Sequence, residues 1–115
     1  MKRYAVDRKA WAERELLDQL GNIGSEVGRA IASHGRADAE RTANAIDRAL
    51  DLFDATAESL AERHQLQRLQ ELLRSREVFL GLFYDNRFDK DAEQLERYFM
   101  QFAMAERNMR SRPHE

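Results

Sequence analysis

The chain has 115 residues, of which 43% are hydrophobic and 35% charged, with one proline, five glycines and no cysteine. That length suits one domain, its apolar content excludes a disordered polymer, and so few glycines and prolines exclude a turn-rich β-sandwich. Residues 1–57 carry 9 basic against 10 acidic side chains and residues 58–115 carry 10 against 11, for a net charge of -2, which does not support a simple electrostatic nucleic-acid binder.

The absence of cysteine removes disulfide and thiol chemistry from consideration. No apolar run approaches the length of a membrane span, and the charged start of the chain lacks the apolar core of a signal peptide. The sequence therefore predicts a cytoplasmic protein without membrane contact, in a single domain over 1–110 followed by a mobile tail over 111–115.

A first helix is expected from near Asp7, as its N-cap, to about His34. Leu16, Leu20, Ile23, Val27 and Ala30 step 4-3-4-3 along it, with Leu17 and Ile31 widening the stripe, which is the seam of a bundle helix. Gly35 stands where a left-handed C-terminal cap is expected. A second helix opens on Asp38 and carries Ile46, Leu50, Phe53, Ala57 and Leu60 in the same rhythm. The stripe loses phase at His64 and Gln67, which predicts a tight turn over 62–65. A third helix then buries Leu66, Leu69, Leu73, Leu80 and Phe83, flanked by Leu72 and Phe79. The stretch 84–91 is rich in turn formers, with Asp91 or Asp89 as the cap of a fourth helix. That helix carries Leu95, Phe99, Phe102 and Met104, ends near Arg110, and cannot pass Pro113. The expected architecture is all-α, an antiparallel up-down-up-down four-helix bundle.

Three features of this bundle bear on function. Gly21, Gly24 and Gly28 share one helix face, and since each costs about 1 kcal/mol against alanine they predict a close approach by another backbone. The partner is a neighbouring helix in the same bundle or a self-association face. Arg76 occupies a seam position between Leu73 and Leu80, so it needs a carboxylate partner. Glu26, Asp51, Asp54 and Glu77 complete a predicted polar network, which either fixes helix register or lines a pocket for an anionic ligand. Aromatic residues Phe79, Phe83, Tyr84, Phe88, Tyr98, Phe99 and Phe102 surround the last loop and are expected in the core.

Specific chemistry is not apparent. A di-iron carboxylate bundle needs Glu-x-x-His from two helices, whereas the residues three before His34, His64 and His114 are Ile31, Ala61 and Ser111. No nucleophile elbow surrounds any serine, and no phosphate-binding Gly-x-x-x-x-Gly-Lys loop occurs. No metal or other cofactor is expected, and no catalytic residue is assigned from the residues themselves.

Two short stretches resemble known families. Arg29-Ala30-Ile31-Ala32-Ser33-His34 is similar to the Arg-x4-6-His signature of HEPN-domain ribonucleases, which are small helical bundles. That resemblance implies RNA cleavage by Arg29 and His34 at a dimer interface. Asn22-Ile23-Gly24-Ser25-Glu26-Val27-Gly28-Arg29 resembles the Asn-Ile-x-x-x-x-Gly-Arg stretch of small bacterial four-helix proteins of the rRNA intervening-sequence and Avd type. That family implies ring-like self-assembly, with nucleic acid or a reverse transcriptase as partner in some members. The leading expectation is a non-enzymatic interaction module, a homo-oligomer or part of a complex with another protein. The alternative is an RNA-binding or HEPN-like ribonuclease bundle.

Overall fold

A computed structural model describes residues 5–110, with the Arg110 side chain excepted, and every regular element in it is a helix. The tail over 111–115, with Pro113 and His114, lies outside the described residues. The helices are α1 (Arg8–Ala12), α2 (Leu16–Gly35), α3 (Ala39–Glu62), α4 (Leu66–Tyr84) and α5 (Phe88–Arg110). Helix α2 packs against α3 and α5, α4 packs against the same two, and α1 lies on α3.

The single first helix expected from Asp7 to His34 is broken in two. Asp7 does cap α1, accepting hydrogen bonds from the Lys9 and Ala10 amides, but the chain turns extended at Glu15 before α2 begins. The reason is rotational. Nine residues separate Trp11 from Leu20, so an unbroken helix at 100° per residue sets them on opposite faces. Breaking the helix buries both. The side-chain amide of Gln19, itself buried, donates to the Trp11 carbonyl at 2.8 Å, beside the Arg14 amide at 3.1 Å, and to the Arg14 carbonyl at 3.2 Å, which ties the two sides of the break together.

Once inside, the Trp11 indole donates to Thr56 Oγ1 at 2.9 Å, and the Arg14 guanidinium lies 5.1 Å above its ring. Arg63 donates to the Ala12 carbonyl at 2.5 Å, and Arg8 bonds Asp51 and Glu58, each at 2.8 Å. Burial works against the Arg8 charge, yet its two carboxylates outweigh that and hold the guanidinium above its ordinary pKa. Helix α1 is thus strapped to α3 by one indole and two arginines.

The corners depend on left-handed residues other than glycine. Gly35 is the last residue of α2 without a positive φ; the left-handed position falls on Ala37, at φ 56°. The Asp38 amide donates back to Ser33 and the Ala37 amide to His34, both at 3.0 Å, which satisfies carbonyls that the helix end would orphan. His64, also at φ 56°, repeats this arrangement in the turn expected over 62–65, with Gln65 donating to Leu60 and His64 to Ala61. Asn86 takes the third left-handed position. Asp38 caps α3 as expected, accepting from the Arg41 amide at 3.1 Å. Neither Asp89 nor Asp91 caps α5, which begins earlier, at Phe88; both acids occupy its first turn, where the helix dipole favours negative charge.

The core follows the expected stripes on α2 and α3, and departs from them on α4. Ile23, Val27, Ala30, Ile46, Phe53 and Leu60 are buried, with Leu50 and Ala57 partly so. On α4 the buried residues are Leu72, Ser75, Phe79 and Leu82, whereas Leu66 and Leu73 of the expected seam are exposed. Phe53 joins the aromatic rings into one cluster, with its centroid 5.8 Å from Phe79 and 5.9 Å from Phe99. Tyr84 stands outside that cluster, exposed.

Candidate interaction surface

Helix α4 carries an outward apolar column in addition to its core face. Leu72, Ser75, Phe79 and Leu82 advance 3-4-3 and fill the core side. Leu66, Leu73 and Leu80 advance by sevens, which is nearly two full turns, so they stand in one column along the helix. This column does not reach the core: Leu66 is 63% exposed, Leu73 44% exposed, and Leu80 half-buried. Tyr84 continues it at 69% exposure, and the exposed Gln70 and Glu77 flank it. Single exposed apolar residues are ordinary on a protein surface, but a column with the repeat of a helix–helix seam is not. Met100, Met104 and Met109 are the other large apolar side chains exposed among the described residues, all on α5.

The three glycines expected to share a face of α2 have different surroundings. A methyl group on Gly24 would lie 2.8 Å from Phe99 Cβ of α5, so that contact exists only because glycine is there. At Gly21 it would meet the Glu106 carboxylate at 3.3 Å, and at Gly28 it would meet nothing within 4 Å. The close approach predicted by the spacing is therefore internal, α2 against α5, and it is carried by Gly24.

The expected polar network is divided among separate ion pairs. Glu26 of α2 holds Arg29 at 2.6 Å with one oxygen and Arg48 of α3 at 3.1 Å with the other. Asp51 belongs to the α1 strap, accepting from Arg8 and, at 2.7 Å, from the Val6 amide. Asp54 of α3 pairs with Arg76 of α4 at 3.1 Å, and Glu77 is exposed. Arg76 is only partly buried, since the α4 column containing its seam position faces outward.

Arg29 and His34 do not form a joint site within the chain. Arg29 is held by Glu26, whereas the His34 ring lies 4.3 Å from that of Phe88 and 5.5 Å from that of Phe83. Among the described residues no group of three or more His, Cys, Asp or Glu converges as a metal site, and no helix is long and apolar enough to cross a membrane. A groove between α4 and α5 is lined by Glu71, Arg74, Arg87, Asp91 and Tyr98, among others. Burial, then the nearby charge of Glu71, raises the Tyr98 phenol above its usual pKa, with Arg68 opposing.

Sequence reasoning passed over Trp11, Gln19 and Arg8, which anchor α1. Their signal was the phase conflict between Trp11 and Leu20, visible once both are assumed buried. No family model, curated protein or solved structure matches this chain.

Proposed function

We propose that the chain is a non-enzymatic helical interaction module whose four long helices alternate in direction and whose α4 column receives α4 of a second copy. The observation that carries this is the second apolar face of α4, with Leu73 at its centre and Leu66 and Leu80 each seven residues away. Such a column is self-complementary. In an antiparallel pair about a two-fold axis at Leu73, Leu66 meets Leu80 of the other copy and Leu73 meets itself. The likeness of residues 22–29 to self-assembling bacterial bundle proteins points the same way.

Alternation of direction is supported by the three-residue connections 36–38, 63–65 and 85–87, each between helices that pack on one another.

Light scattering tests the proposal. The wild type is expected to have twice the chain mass of 13.5 kDa, and Leu73→Glu to have the single mass with an unchanged helical circular dichroism spectrum. A wild type that remains at the single mass at the highest attainable concentration would overturn it.

A further inference from the structure

At the corner where α2 hands over to α3, four guanidinium groups line one open cleft of about 460 Å³. Arg29 and Arg36 come from the α2 side, Arg41 and Arg48 from α3, with Ser33 and Asn44 between them. No carboxylate lines the cleft. Two carboxylates answer the arginines from its edges: Glu26 holds Arg29 and Arg48, and Asp38 lies 3.5 Å from Arg41 while its other oxygen caps α3. Among the described residues, no carboxylate lies within ion-pair distance of Arg36. The four arginines outnumber the two carboxylates that pair with them, so the lining of the cleft is basic in a chain whose net charge is -2.

The chemistry of the lining restricts the ligand. All four cations are arginines, whose planar forks match phosphate oxygens two at a time. The carbon surface offered is that of Ala32 and Ala45, and no aromatic ring lines the cleft, so an acyl chain finds no platform there. A long polyanion must also run past the acidic remainder of the surface, whereas a compact one stays inside the basic corner. The helix dipoles contribute little, because the negative end of α2 and the positive end of α3 meet here and Asp38 already occupies the latter. We infer that this cleft binds a compact oligophosphate, a diphosphate or triphosphate group, between Arg36 and Arg41 at its mouth and Arg29 and Arg48 on its walls. Glu26 presets those walls, with one carboxylate oxygen fixing each of the two guanidiniums.

Inorganic tripolyphosphate is the probe, titrated into the whole chain by calorimetry and by nuclear magnetic resonance of the arginine Nε–H groups. Saturable binding of one anion per chain is expected, weakening with added salt, with shifts concentrated at Arg29, Arg36, Arg41 and Arg48. Replacing the two arginines at the mouth together, Arg36→Gln with Arg41→Gln, is expected to weaken binding by about tenfold or more. Arg97→Gln, the loss of one positive charge on α5, is expected to leave it unchanged. The inference fails if tripolyphosphate does not saturate, if shifts spread over arginines outside the cleft, or if Arg97→Gln weakens binding as much as the double variant. It fails equally if a single-stranded oligonucleotide binds through these residues and tripolyphosphate does not. Should the double variant lose its fold, the location of the shifts in the wild type still decides.

Discussion

At Gly24 the missing methyl group determines how near α5 comes to α2. An added Cβ, 2.8 Å from Phe99 Cβ, has no flexible side-chain end to push aside and must move a helix. Gly24→Ala is therefore expected to cost about 1–3 kcal/mol of overpacking, partly offset by better helix propensity. At Gly28 the new methyl group enters open space, so only the propensity term remains and Gly28→Ala is expected to stabilise by about 0.5–1 kcal/mol. Urea denaturation of the two variants checks both signs. Equal effects would mean that the α2–α5 contact is not set by Gly24. Two glycines in one motif thus do opposite things, and spacing alone could not separate them because the decisive neighbour is 75 residues further along the chain (99 − 24).

Among the elements, α1 depends most on a few side chains. It is 5 residues long, too short to persist alone, and is held by Trp11 and two arginines. Thr56→Val removes the hydroxyl that receives the indole N–H and leaves a buried donor without a partner, an expected loss of about 1–3 kcal/mol. Trp11 is the chain's one tryptophan, so its fluorescence reports this docking directly, with a shift to longer wavelength expected in the variant. An unchanged spectrum and unchanged stability would show that the strap is held otherwise. The element pattern was legible wherever one apolar stripe faced one core, as on α2 and α3, including the caps Asp7 and Asp38. It was misread on α4 because Leu66, Leu73 and Leu80 compete with Leu72, Phe79 and Leu82, and periodicity does not say which stripe turns inward. It was misread at residues 13–15 because no glycine or proline marks the break; the signal there is the side-chain amide of Gln19, which donates to the Trp11 and Arg14 carbonyls. Of the candidate site, Arg29 and Arg48 could be named as charges, but a cleft joining them to Arg36 and Arg41 needs the corner geometry.

For the molecule as a whole, the proposed pairing through α4 would link folding to concentration. A native dimer and an unfolded monomer shift their equilibrium by mass action, so the wild-type melting temperature is expected to rise as the chain is concentrated. Leu73→Glu is expected to remove that dependence. Calorimetry over a hundredfold dilution series, about 2.7 kcal/mol of mass action, measures it; a constant wild-type midpoint would contradict pairing.

Most of the packing joins helices that follow one another, α2 with α3, α3 with α4 and α4 with α5, across corners of a few residues. Such local pairings enclose little chain and cost little closure entropy. The seam between α2 and α5 spans far more, since closing it brings the two ends of a long arc together, and Gly24 against Phe99 lies on that seam. The contact that depends on the missing methyl group of Gly24 is thus also one that completes the ring, so an obstruction there leaves the three local pairings intact and the circle open.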